Sequence, residues 1–224
     1  MEATSEISGG SLRILYGGTL RLSSENAMST TEVSPETLIA RPKRADARRN
    51  YEKVLTAARD AFAEGGESTA LEEIARRAGV GIGTLYRHFP SRQALLEALY
   101  VNEVEEVCRS AGELDDGDPW EALNSWFERL MAYLATKQAL SGELLNYLDR
   151  DAALFQVCRT SLYDAGGPLL KRAQEAGAVR SDVDFPEVMQ MLMGIAKIPV
   201  SDPSQTAHIL RIALDGLRYQ PEGT

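Results

Sequence analysis

The sequence predicts an all-α protein of about nine helices. Apolar residues recur at spacings of three and four along most of the chain. Glycines, prolines and short polar cap residues punctuate those stretches at helix-length intervals. No alternating run is long enough for a strand, and there is no internal repeat. With 224 residues, 44% of them hydrophobic, the chain can bury one sizeable core or two small ones.

Residues 1–40 are rich in Ser, Thr, Gly and Glu without helical or strand period and read as a disordered tail. Met28 opens "MSTTEVSPETL", which makes residues 1–27 an expected extension of a chain starting there. A first helix places Tyr51, Val54, Leu55, Ala58 and Phe62 on one face and stops at "EGGES". A second, capped by Ser68 or Thr69, puts Leu71, Ile74, Ala75 and Ala78 together and ends at Gly79. A third, short one spans about Ile82 to Phe89 and is closed by Pro90. Ser91 caps a fourth, whose apolar side carries Leu95, Leu96, Leu99, Tyr100, Val104 and Val107.

Asp118-Pro119 starts the next helix, "WEALNSWFERLMAYLAT". A short helix is expected over "GELLNYLD", and a long one over "DAALFQVCRTSLYDAGGPLLKRAQEAG", weakened at Gly166-Gly167. Two more, at about Pro186 to Ile195 and Pro203 to Leu217, complete the set.

Charge divides the chain. The net charge is −9, but residues 41–92 carry 11 basic against 7 acidic side chains, whereas residues 93–224 carry 11 against 21. A cationic segment joined to an acidic remainder suits a protein that meets an anionic polymer with one part only. Three units follow: a tail over 1–40, a basic three-helix unit over 41–92, and an acidic helical unit over 93–224. No run reaches the roughly eighteen apolar residues of a membrane helix. The N-terminal "LRILYGGTLRL" is too interrupted for a secretory core. Cys108 and Cys158, without metal spacing, read as reduced, partly buried thiols of a cytoplasmic protein.

The basic segment holds "AGVGIGTLYRHFPS", Ala78 to Ser91. A phosphate-cradling loop would need a preceding strand and a Gly-Lys-Ser/Thr or GxGxxG context, and none is present. Two short helices joined by about four glycine-containing residues instead match the helix-turn-helix arrangement. Ala75 is small where the two helices cross, Gly79 suits a tight turn, and Val80 and Leu85 point inward. Leu85 and Phe89 read as core; Arg76 and Arg77 read as a solvated face.

The stretch "STALEEIARRAGVGIGTLYRHFPSRQALLEAL" resembles the N-terminal domain of the TetR family of transcriptional regulators, from about Arg48 to Tyr100. Past Tyr100 the likeness is architectural and loosely resembles the SbtR-type branch. The resemblance implies a homodimer that places two recognition helices in successive major grooves of a palindromic operator on double-stranded DNA. It further implies a small-molecule effector that changes their separation, most simply as a cytoplasmic, nucleoid-associated repressor. Carried residue by residue, it assigns the DNA face to Gly81, Ile82, Gly83, Thr84, Tyr86, Arg87 and His88. Thr69 at the second helix and Arg92 at the fourth add phosphate contacts. Arg44, Arg48 and Arg49 precede helix one and would follow the backbone or enter a minor groove. Many relatives carry Ser or Thr at Gly81 and a basic residue at Ile82. Here base reading must lean on apolar contact from Ile82 and on close backbone approach at Gly83; Gly81 fits either a contact or a purely shaping role.

The acidic unit is expected to form a pocket from Trp126, Met131, Tyr133, Asn146, Tyr147, Phe155, Tyr163, Met189 and Met193, suited to a hydrophobic or aromatic ligand. Its last two helices would dimerise through Leu192, Ile195, Leu210, Leu214 and Leu217. No catalytic grouping, metal spacing or cofactor motif stands out, so neither catalysis nor a cofactor is expected. A helical protein-interaction module and a ligand-binding carrier or enzyme stay open as other readings.

Overall fold

The computed structural model describes residues 35, 39–114, 117–144, 146–148, 152–199 and 202–218. The expected tail, including the extension over 1–27, lies almost wholly outside the described residues. Eight α-helices and no strand are found among the described residues, all within the contact unit Val33–Thr224.

Helix α1 (Ala45–Gly65) buries the expected face, Tyr51, Val54, Leu55, Ala58 and Phe62. Helix α2 (Leu71–Ala78) follows a single 3₁₀ turn, and its cap departs from expectation. Ala70 takes the N-cap position with no side-chain bond. Ser68 and Thr69 turn back toward α1 instead. The Thr69 hydroxyl donates to the Ala61 carbonyl at 3.0 Å and that of Ser68 to the Gly65 carbonyl at 2.7 Å. Glu72 and Glu73 in the first turn of α2 supply the negative charge its positive end favours.

Gly79 ends α2 with φ of 65°, a conformation natural to glycine. Its N–H donates to the Arg76 carbonyl at 3.2 Å and that of Val80 to Ala75 at 3.0 Å, the paired bonds of a Schellman ending. The chain thus reverses within three residues and starts α3 (Ile82–His88) from Gly81. Helix α4 (Arg92–Glu113) is capped as expected, its Ser91 hydroxyl accepting from the Ala94 N–H at 3.1 Å.

Helix α5 (Pro119–Leu144) starts on Asp118, whose carboxylate accepts from the N–H groups of Trp120 and Glu121, both at 3.0 Å. It runs on through Gly142, Glu143 and Leu144, so the separate helix expected over "GELLNYLD" does not form. Tyr147 and Leu148 belong to a turn on the Leu144 carbonyl. One interior glycine costs only about 1 kcal/mol, which continued packing of the helix offsets. This merger explains eight helices in place of about nine.

Helix α6 (Ala153–Glu175) passes unbroken through Gly166, Gly167 and Pro168. Gly166 is buried where α6 crosses Trp126 and Phe185, and a Cβ there would lie 2.4 Å from each ring. Gly166, one of the pair that looked like a weak point, is therefore a close-approach point, whereas a Cβ at Gly167 would meet nothing within 4 Å. Helix α7 (Phe185–Ala196) opens with a reciprocal Asp184–Glu187 capping box, and α8 (Pro203–Arg218) follows. Helix α4 packs against α5 and α6, α7 packs against α5, α6 and α8, and α1 lies on α4 and α5.

Ion pairs join α1 and its leading arm to α4. Arg59 reaches Glu103 at 2.5 Å and Glu106 at 3.5 Å, and Arg41 pairs with Glu105. Burial outweighs Arg59 at Glu103 and holds that carboxyl above its usual range.

Candidate nucleic-acid interface

Helix α3 has seven residues, too few to stand alone in water, so its position comes from what it buries. Leu85 is fully buried among α1 and α2, and Phe89, just past the end, stacks on Tyr51 with ring centroids 4.8 Å apart. Those two anchors turn the opposite side outward. Tyr86 is 45% exposed and Ile82 38%, unusual for such large apolar groups. Gly81, Gly83 and Arg87 are exposed beside them, and Thr84 is half-buried. A Cβ at Gly81 or Gly83 would meet nothing within 4 Å. The fold itself has room for side chains there, and their absence leaves bare backbone facing outward.

His88 sits at the edge of this face, its ring edge-on to Tyr51 at 6.1 Å. Burial first, and then the charge of Arg87, holds its imidazole below the ordinary range. Of the three arginines expected before the first helix only Arg44 precedes α1, at its N-cap. Arg48 and Arg49 lie in its first turns because the helix already starts at Ala45, with Arg44 and Arg48 exposed and Arg49 paired with Asp46. These cations lie at the start of α1, well before α3 in sequence.

Two expected contacts lie elsewhere. Thr69 is buried with its hydroxyl on the Ala61 carbonyl, so it is not part of the exposed face. Arg92 turns inward, donating to the Thr69 carbonyl and lying 4.9 Å above the Phe62 ring. It fixes the joint between α4 and the α1–α2 pair. Arg76 and Arg77 both grip Glu73, holding its carboxyl at about 2, and Arg77 also reaches Glu64, which agrees with a solvated face.

The expected pocket residues do not converge on one cavity. Tyr133 and Phe155 gather around Tyr100, with centroids 6.2 and 5.3 Å from it. Trp126 and Tyr163 gather around Phe185 instead, at 5.9 and 5.4 Å. Met189 is buried, Met193 half-buried, and Asn146 and Tyr147 are exposed in the turn after α5. Met131 alone of the set lines an open groove of about 920 Å³ between α5 and α8. Of the expected dimer contacts, Leu210 and Leu214 line that same groove. Leu192, Ile195 and Leu217 are buried within the chain. Two residues with site character escaped sequence reading. By spacing Tyr100 lies on the apolar side of its helix, and nothing in the sequence singles out Lys137.

A family model described as "Bacterial regulatory proteins, tetR family" matches residues 54–99. A second, "Transcriptional regulator SbtR-like, C-terminal domain", matches residues 118–219. The crystal structure of a TetR transcriptional regulator from Streptomyces coelicolor is 38% identical, with a TM-score of 0.69 over 76% of this chain and 99% of that one. A TetR transcription regulatory protein from Mycobacterium vanbaalenii is 36% identical, with a TM-score of 0.67 over 80% and 100%. A curated HTH-type transcriptional regulator from Staphylococcus aureus is 30% identical over 116 residues, which is 50% of this chain and 60% of that protein.

Proposed function

The chain belongs to the TetR family of bacterial DNA-binding transcriptional regulators, and from that premise we propose that it is a homodimeric repressor released from a palindromic operator by a small apolar or aromatic effector. The observation that supports operator reading by α3 is its outward face: two exposed large side chains, Ile82 and Tyr86, beside backbone bared at Gly81 and Gly83. Ile82 would rest on a thymine methyl and Tyr86 on a phosphate or base edge, with Thr84, Arg87 and His88 on phosphates. Arg44, Arg48 and Arg49 add charge along the backbone. Residues 41–92 thus read DNA, while residues 93–224 dimerise and sense. Effector and operator favour different separations of the two α3 helices, so each weakens the other's binding.

A salt-dependent mobility shift on the DNA upstream of the protein's own coding sequence tests this. We expect a palindromic footprint and an affinity that falls linearly on a logarithmic salt scale. Failure of every fragment to bind below micromolar concentration at low salt would remove the repressor reading. Tyr86→Ala is expected to weaken binding roughly tenfold or more, the scale of one good base or phosphate contact.

His88 provides a pH test. On the free protein its imidazole is held below the ordinary range, whereas a phosphate beside it favours the cation. Operator binding therefore takes up a proton, and affinity should rise as pH falls from about 7.5 to 6. His88→Gln should flatten that dependence. For folding the sign is opposite. A depressed imidazole stabilises the fold above its unfolded value near about 6.5, and that contribution is lost as pH falls through and below it.

A further inference from the structure

Inside the α4–α5–α6 bundle a cation sits without an acid among the described residues. Lys137, in the later turns of α5, is half-buried with its Nζ 5.6 Å from the centre of the Tyr100 ring. Burial, then the charges of Arg159 and Lys197, pushes its ammonium below the ordinary range, and among the described residues no carboxylate acts on it. Arg159, two turns into α6 and exposed, likewise has no ion pair among the described residues. Taking an ammonium out of water without a counter-charge is costly, and proteins retain such groups where something else supplies the charge.

A second observation comes from the next turn of the same helix. The Tyr133 side chain is only 3% exposed, and its hydroxyl has no hydrogen-bond partner in the described structure. The Tyr100 hydroxyl lies beside it and acts on it both through charge and as a weak acceptor from the Tyr133 O–H. Burial pushes both phenols upward, Tyr100 to about 12, so both keep their protons. A contact between the two phenols would consume one of their two O–H donors and leave the other for a third group. Phe155 closes the cluster, edge-on to Tyr100 at 5.3 Å.

We propose that Lys137, Arg159 and the Tyr100–Tyr133 phenols form a recognition site for the carboxylate of a small organic acid, whose apolar body rests on Tyr100 and Phe155. The proposal rests on the effector reading above and names the effector's chemical class. One half-buried ammonium and one free phenol match a monoanion; a phosphate dianion would need more buried donors than this cluster holds. The exposed Arg159 marks the edge from which the acid enters, drawn by the combined charge of Lys137 and Arg159. Bound acid supplies the counter-charge that Lys137 lacks, and it touches α4, α5 and α6 together.

The test uses the full chain, with benzoate, phenylacetate and octanoate as probes. Benzamide, phenylacetamide and octanol serve as uncharged counterparts, and inorganic phosphate as the alternative anion. At least one carboxylate is expected to raise Tm and to bind by calorimetry at least tenfold more tightly than its neutral counterpart. Lys137→Met should abolish that preference while leaving the Tm of the ligand-free protein unchanged or raised, because an unpaired buried charge is gone. Tyr133→Phe should weaken the carboxylate and spare any residual neutral binding. Equal response to acid and neutral counterpart, response to phosphate alone, no response to any carboxylate, or an intact preference in Lys137→Met each overturns the proposal. Operator binding is measured in parallel without probe. DNA binding with no carboxylate response removes this site and leaves the regulator reading standing. Carboxylate binding that does not loosen DNA keeps the site and removes its effector role.

Discussion

Trp126→Ala is expected to lower the free energy of unfolding by about 3–5 kcal/mol, among the largest losses a single truncation can cause here. Trp126 is fully buried in α5, its Nε1–H donates to the Val107 carbonyl of α4 at 3.1 Å, and its ring lies against Phe185 of α7. It also meets α6 at Gly166, where a methyl group would fall 2.4 Å from the ring. Four helices thus share one side chain. Gly166→Ala should therefore cost about 1–3 kcal/mol through overpacking. Part of that cost should vanish in a Trp126→Phe background, whose shorter ring gives way, while the Phe185 ring, also 2.4 Å from the added methyl, keeps the rest. Urea denaturation of the two single variants and the double closes the cycle. Additive effects would mean that Gly166 is not pressed by Trp126.

Leu85→Ala is the second large effect. Leu85 is the one buried residue inside α3, and shortening it should cost about 2–5 kcal/mol. Because α3 is too short to hold itself, operator affinity should fall with stability. Tyr86→Ala is its natural control. The neighbouring side chain is exposed, so stability should stay within about 0.5 kcal/mol while operator affinity drops. Loss of stability in Tyr86→Ala, or its retention in Leu85→Ala, would invert the inward and outward faces assigned to this helix. Denaturation and mobility shift on the same preparations separate the cases.

The inward and outward faces of α3 were legible in the sequence because helical burial repeats along one dimension. Leu85 and Phe89 inside follow from spacing, as do the burial of Tyr51, Val54 and Phe62 and the caps at Ser91 and Asp118. Ile82 outside follows only from the family resemblance, because Ile82, Leu85 and Phe89 share the i, i+3, i+7 spacing of one helical face. Features that depend on which helix meets which were not legible. Thr69 has the chemistry of an N-cap, but the Ala61 carbonyl competes for its hydroxyl. Arg92 has the chemistry of a phosphate contact, but the Thr69 carbonyl and the Phe62 ring hold it. Gly142 looked like a helix break because its cost is local, whereas the packing that carries α5 past it is not. The expected pocket scattered because aromatic and methionine residues say that a bundle is apolar inside without saying where its seams run. Lys137 escaped notice because a lysine on a helix reads as solvated until its surroundings are known.

Helix α4 has mechanical consequences of its own. It is a single rod of 22 residues, and at 1.5 Å per residue it is about 33 Å long. One end, at Ser91 and Arg92, is the floor on which the α1–α2 pair sits; its middle carries Tyr100, Glu103 and Glu106. With the fulcrum near Glu103, the arm to Arg92 measures about 16 Å, so a tilt of about 5° moves that end by roughly 1.4 Å. In a two-fold assembly the displacement doubles, to nearly the rise of one base pair along duplex DNA, about 3.4 Å. A lever of this length would convert a tilt of a few degrees into a misfit approaching one base-pair step.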